Sequence, residues 1–174
     1  MAEAFGIRGV TQLRIAILTV SDRSSRGERE DLSGPALEKV VVDKGWLVTE
    51  KTIVPDEKLD IQAVFIGWAS NDMVDVILST GGTGFSPRDI TPEATREIIE
   101  REAPGLAEVM RAGSLLVTKH AMLSRAVVGI RQNTLIINLP GSPKAAVENF
   151  EIISPVLEHA VQLLRNDPKA EESH

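Results

Sequence analysis

The stretch MVDVILSTGGTGFSPRD, Met73 to Asp89, sets an apolar run directly against a loop with three glycines in four residues, and closes on a carboxylate five residues past the last glycine. Met73 to Leu78 (MVDVIL) reads as a strand. Gly81, Gly82 and Gly84 allow backbone conformations closed to other residues and let amide N–H groups approach a ligand with no side chain between, as a phosphate requires. Thr91-Pro92-Glu93 then reads as a helix start, with a capping hydroxyl, proline at the first helical position and an acid in the first turn. The positive end of that helix would favour an anion. The loop matches neither GxxxxGK[ST] nor GxGxxG. A tight strand-to-helix turn and a phosphate cradle both fit it.

Upstream, Leu13 to Val20 (LRIAILTV) is a nearly continuous apolar run, the pattern of a strand buried on both faces, and it stops at Ser21-Asp22-Arg23. A polar loop follows. Gly34-Pro35 then opens a helix carrying Leu37, Val40 and Val41, which Gly45 closes. Trp46 to Val54 reads as a strand ending at Pro55-Asp56, and Glu57 to Asn71 as a helix with one apolar face. Downstream, Pro104 starts another helix, and Ala126 to Arg131 and Thr134 to Leu139 suggest a hairpin around Gln132-Asn133. The second of these strands ends at Pro140-Gly141-Ser142. Apolar residues from Ala146 to Leu164 step by three and four, a helix seam that Pro155 should kink or split, with Ser154 able to cap a second segment.

Strand alternating with helix implies right-handed crossovers and an α/β fold: three layers, α/β/α, around a mostly parallel central sheet. Parallel strands end at one edge, and ligands bind there. The endings at Ser21-Asp22-Arg23, Pro55-Asp56, Thr80-Gly81-Gly82-Thr83-Gly84 and Pro140-Gly141-Ser142 should therefore converge on one cleft.

The 174 residues suit a single domain, with a core over about 12–165 and flexible ends. A composition 43% hydrophobic and 25% charged is that of a soluble globular protein, and no apolar run is long enough for a membrane span. The start MAEAFGIRGVTQ shows no secretory signal, so the expected compartment is the cytoplasm. Without cysteine there are no disulfides, thiolate metal sites or cysteine nucleophiles. A net charge of −6 argues against nucleic acid as a partner, since that binding needs clustered Lys and Arg. A small phosphorylated ligand would need local cations or a metal.

Asp56 and Asp89 each lie just past a strand end, so a parallel sheet puts both carboxylates on the ligand edge. Beside a phosphate they suggest Mg²⁺, which takes oxygen ligands and often uses one or two carboxylates plus phosphate oxygens. Singly, each would also serve as a turn or capping aspartate. In PGSPK, Pro140 to Lys144, Ser142 is a candidate helix cap and Lys144 a cation near exposed amides, which makes either an anion site or a capped helix start with a solvated lysine. Arg23, Arg26 and Arg88 face phosphate or water. His120, with no acid to orient it, reads as structural.

Taken in order and spacing, VSDRSSRGEREDLSGPAL, the IVPDE around Asp56, STGGTGFSPRDITPEAT and NLPGSPKA resemble the molybdopterin adenylyltransferases of molybdenum-cofactor biosynthesis, a domain type also found in gephyrin and plant cofactor-synthesis proteins. The resemblance covers roughly Arg14 to Arg165. It implies a trimer that binds molybdopterin and Mg-ATP, transfers AMP to the pterin's terminal phosphate and releases pyrophosphate. The family's essential aspartates fall on Asp56 and Asp89, its glycine loop on Gly81, Gly82 and Gly84, and its serine–lysine anion site on Ser142 and Lys144. It also implies a separate molybdate-insertion protein as partner. Some relatives bind the pterin without established adenylylation, so a non-catalytic molybdopterin-binding trimer or scaffold is the alternative. A hydrolase of a phosphorylated small molecule is a third reading.

Overall fold

The structure, a computed structural model, describes residues 12–167. The expectations for the N-terminal stretch up to Thr11 and for residues 168–174 lie outside the described residues.

Six strands form one sheet: β1 (Arg14–Val20), β2 (Leu47–Val54), β3 (Val76–Thr80), β4 (Arg101–Glu102), β5 (Val128–Arg131) and β6 (Thr134–Leu139). Their spatial order is β2-β1-β3-β6-β5-β4. The first four in that order run parallel, whereas β5 is antiparallel to β6 and β4 to β5. The expected three-layer, mostly parallel α/β architecture is therefore present. So is the hairpin, with Gln132 in its turn at φ 51°.

The long apolar runs become central strands because both of their faces are covered. Ile15 and Ile17 of β1 turn to one side, packing with Leu37 and Val41 of α2 (Ser33–Asp43), Met110 of α5 (Pro104–Leu115) and Phe150 and Leu157 of α6 (Pro143–Leu164). Ala16 and Leu18 turn to the other, against Ile61 and Phe65 of α3 (Lys58–Ala69) and Ala94 and Ile98 of α4 (Thr91–Ile98). The two-residue period of a strand sorts neighbouring apolar residues into two cores.

Several local expectations give way to tertiary context. α6 runs unbroken through Pro155. Proline cannot donate to the Glu151 carbonyl four residues back, and the Ser154 hydroxyl donates to that oxygen instead, at 3.2 Å. Ser154 thus substitutes for the lost bond rather than capping a second helix, while buried Ile153, Leu157 and Val161 hold the seam on the sheet. β3 begins three residues later than expected and extends through Ser79 and Thr80. Asp75 just before it is drawn aside by Arg14, accepting from both its backbone N–H and its guanidinium. The polar loop after β1 contains a short helix, α1 (Asp22–Ser25), capped by Ser21. β4 and a 3-10 segment over Lys119–Leu123 had no signal in the sequence. Among the described residues, no helix is long and apolar enough to cross a membrane.

Phe150 is fully buried, with its ring edge-on to Trp46 at 6.0 Å between centroids. Truncation leaves a cavity as well as losing apolar contact, so Phe150→Ala should cost about 3–5 kcal/mol in urea unfolding. Leu116→Ala, at a side chain 91% exposed, should stay within about 0.5 kcal/mol when the chain is held monomeric by dilution.

Candidate active site

Because β1, β2, β3 and β6 are parallel, their C-terminal ends meet at one edge, and hydrogen bonds join the loops that follow. The amide of Asp22 donates to Asp56 Oδ2 at 2.8 Å, and the amide of Asp56 donates to Asp22 Oδ1 at 3.0 Å. Gly81 N–H donates to Leu139 O at 3.2 Å, and the Thr80 hydroxyl to Pro140 O at 2.7 Å.

The glycine loop is bare because other groups occupy the space its side chains would need. At Gly81, with φ 102°, a Cβ would run into the Val20 carbonyl oxygen. At Gly82, with φ 66°, it would strike the Thr91 hydroxyl and lie 3.1 Å from Asp56 Oδ1. At Gly84 it would lie 2.9 Å from Asp89 Oδ2. Both carboxylates thus rest against the loop, where only a missing side chain leaves them room. Thr91 has a different role from the expected helix cap. Ile90 is the N-cap, and the Thr91 hydroxyl donates to Gly81 O at 2.9 Å while its amide donates to Gly82 O at 3.1 Å. It fastens the loop to α4.

Two clefts flank this loop. The first, about 400 Å³, is lined by Ser21, Asp56, Thr80, Gly81 and Ser142, together with Arg29 and Asp31. The second, about 390 Å³, is lined by Thr83, Gly84 and Pro140, with Arg111, His120, Ser124 and Asn149 opposite. Gly82, Asp89 and Gly141 border both. The amides of Gly82, Thr83 and Gly84 donate to no acceptor among the described residues.

The remaining expected residues divide. Asp22 supports Asp56 rather than lining a cleft. Arg23 is exposed on α1, and Lys144 is 78% exposed beside Glu148 at 3.8 Å; neither lines a cleft. Ser142 caps α6 loosely, accepting from Ala145 N–H at 3.5 Å. Arg88 is exposed yet paired: it binds Asp22 through two nitrogens at 2.9 Å each and Glu57 at 2.8 Å. Arg26 pairs with Glu28. His120 is exposed and borders the second cleft.

Sequence reasoning missed Arg29, Asp31, Arg111, Ser124 and Asn149. Only Asp31 carried a local signal, since aspartate before Leu32-Ser33-Gly34 is the pattern of an Asx turn. Its Oδ1 accepts from the amides of Ser33 and Gly34, and its Oδ2 from the Thr19 hydroxyl at 2.7 Å.

Burial pushes the Asp56 carboxyl up from its ordinary value, and the charges of Asp22 and Asp89 push it the same way, against the hydrogen bond from the Asp22 amide. Asp22 is held below the usual range by the hydrogen bonds from Arg88. No salt bridge reaches Asp56 or Asp89 from a described cation. Two unneutralised carboxylates beside free amides fit a divalent cation whose other ligands are phosphate oxygens and water. They are too few for an all-protein site, and no cluster of three or more metal-ligating side chains is present among the described residues.

The chain is similar to known proteins over most of its length. It is 41% identical over 154 residues to a molybdopterin adenylyltransferase of Helicobacter pylori, an alignment covering 87% of this chain and 88% of that protein. It is 45% identical over 157 residues to the Drosophila melanogaster molybdenum cofactor synthesis protein cinnamon, which covers 89% of this chain but only 26% of that longer protein. The solved structure of the molybdopterin biosynthesis enzyme MoaB from Thermus thermophilus superposes with a TM-score of 0.85 at 50% identity, covering 90% of this chain and 99% of that one. The family described as "Probable molybdopterin binding domain" matches residues 16–159, and with these identities it follows that the chain belongs to that molybdopterin-binding domain family.

Proposed function

We propose that this protein is a molybdopterin adenylyltransferase that uses Mg-ATP. The observation that carries the reading is the meeting of two clefts at Gly82, Asp89 and Gly141, since a transfer between two phosphorylated ligands needs two places whose phosphates touch. An oxygen of the pterin's terminal phosphate attacks the α-phosphorus of ATP, a new P–O bond forms, and the bond to pyrophosphate breaks. A terminal phosphate is already ionised near neutral pH, so the attack requires no general base.

The obstacle is repulsion between anions. The free amides of Gly82, Thr83 and Gly84 donate to phosphate oxygens without having to reorganise, which is where fixed dipoles contribute most. Arg29 brings a cation to the first cleft and Arg111 to the second. Asp56 and Asp89 would hold Mg²⁺, whose chemistry there is to draw charge from the α-phosphate and the leaving pyrophosphate. Ser142, at the start of α6, aims the N-terminal end of that helix at the first cleft and would help anchor a phosphate. Lys144 would have to swing away from Glu148 to join it.

The direct test is to mix the protein with molybdopterin, Mg²⁺ and ATP and detect adenylated pterin by chromatography and mass. Asp89→Ala should keep its fold and its pterin binding yet lose transfer by on the order of a hundredfold or more. Pterin bound by the wild type without any product would leave a binding module instead.

The raised Asp56 pKa makes a second prediction. An acid whose folded pKa lies above its unfolded value of 3.8 loses stability as pH rises from that value through the folded pKa, and the loss persists above it. Asp56→Asn is free of that cost. Its melting temperature without metal at pH 7 should equal or exceed that of the wild type, the gap closing as pH falls, while AMP transfer is abolished. A lower melting temperature at pH 7 would contradict a carboxylate held under repulsion for function.

The reading extends to a homotrimer, with a separate molybdate-insertion protein receiving the product. Supporting the assembly are apolar side chains left in solvent around the end of α5 and the 3-10 segment: Leu115, Leu116, Val117, Met122 and Leu123. Sedimentation velocity at micromolar concentration should give a trimer; a monomer would overturn it.

A further inference from the structure

Asp89 stands on a loop with little support from the core. From Gly84 through Ile90 every residue is exposed or half-buried, and Phe85 is 68% exposed. The turn has internal bonds: Ser86 N–H donates to Asp89 Oδ2 at 3.0 Å, and Asp89 N–H donates to Ser86 O at 2.9 Å. These orient the carboxylate within the turn but do not fix the turn relative to the sheet. A group that must meet a metal and a phosphate needs a second set of contacts to hold its support still.

Arg88 holds one side of the loop through Asp22 and Glu57, and Arg125 holds the side that carries Asp89. Its Nε donates to Gly84 O at 2.7 Å and its Nη2 to Asp89 O at 2.8 Å, so one guanidinium grips both ends of the Gly84–Asp89 segment. Its Nη1 pairs with the Glu93 carboxylate on the first turn of α4, and its backbone N–H donates to Thr83 O at 2.9 Å. Three acceptors in different directions suit the planar fork of an arginine and exceed what a lysine ammonium at the same place could reach. Glu93 depends on the same contact. Burial alone would push its carboxyl up, yet Arg125's hydrogen bond and charge, with help from other donors, hold it below the usual range. The other oxygen of Glu93 is buried with no hydrogen-bond partner among the described residues. Arg125 lines neither cleft.

We infer that Arg125 is a positioning residue: by bridging Gly84 O, Asp89 O and Glu93 it fixes the Asp89 carboxylate between the two clefts, so that metal affinity and transfer rate depend on a side chain that touches no ligand. For its activity consequences this rests on the adenylyltransferase reading; the bracing of the loop does not.

The test compares wild type with Arg125→Lys and Arg125→Ala in two measurements, amide hydrogen exchange and Mg²⁺ titration of AMP transfer at saturating ATP. Both variants should remain folded by circular dichroism. Exchange at Ser86 and Asp89 should accelerate tenfold or more while β3 is unchanged. Half-saturating Mg²⁺ should rise at least tenfold with a fall in kcat, and the KM for molybdopterin should stay within twofold. Glu93→Gln should move the same quantities in the same direction, by less. Wild-type loop exchange and wild-type metal dependence in both variants would overturn the inference, as would faster exchange spread evenly over the whole chain. If Arg125→Ala does not fold, Arg125→Lys, which keeps the charge but not the fork, gives the same readings. If the wild-type protein transfers no AMP, the adenylyltransferase reading falls, and loop exchange alone decides the role of Arg125.

Discussion

Three backbone segments crowd together at Gly81, and the site depends on that approach. The Val20 carbonyl lies where a side chain at 81 would have to go, and Gly141 approaches the Gly81 Cα so closely that its own Cβ would stand only 3.3 Å away. Here the ends of β1, β3 and β6 are pressed together with no side chain between them. Any larger residue would spread the strand ends, and the carboxylates that rest on Gly82 and Gly84 would move with them. The parallel register brings the loops to one edge; the glycines let them close up.

Charge is arranged with similar constraint. The chain is acidic, and two arginines near the site are engaged in holding it together rather than in facing a ligand. Arg88 ties the loop to Asp22 and Glu57 on one side, and Arg125 ties it to α4 on the other. Asp22 in turn exchanges hydrogen bonds with Asp56, so the support runs from Arg88 through Asp22 to a carboxylate without a cation of its own. Asp56 is thereby kept near two other negative charges, a state that is costly for the empty protein and suited to a divalent ion. Local instability at a site of this kind is expected where function and stability make opposite demands.

Much of the fold was legible because the signals were local. The nearly continuous apolar run before Ser21, the proline at the start of α5 and the glycine after α2 are each signals carried by a few neighbouring residues. Where an expectation failed, a specific hydrogen bond or the packing of the core had overridden a local preference. Thr91 has the chemistry of a helix cap, but the glycine loop lies within reach and takes its hydroxyl. Pro155 has the chemistry of a helix break, but Ser154 replaces the missing bond and the buried seam outweighs the defect.

The sequence by itself determined the layered parallel sheet, the edge where its loops meet, and the two aspartates and three glycines at the centre. These follow from strand period, glycine's conformational range and the rule that parallel strands share an end. Only the tertiary structure decided that the loop divides two clefts, that Arg111, His120, Ser124 and Asn149 form the far wall of one of them, and that Arg125 braces Asp89. Those residues come from α5, the 3-10 segment, the chain leading into β5, and α6, and no local pattern encodes contacts across such separations. Their positions are set by how helices pack against the sheet, which is settled only when the whole core is assembled.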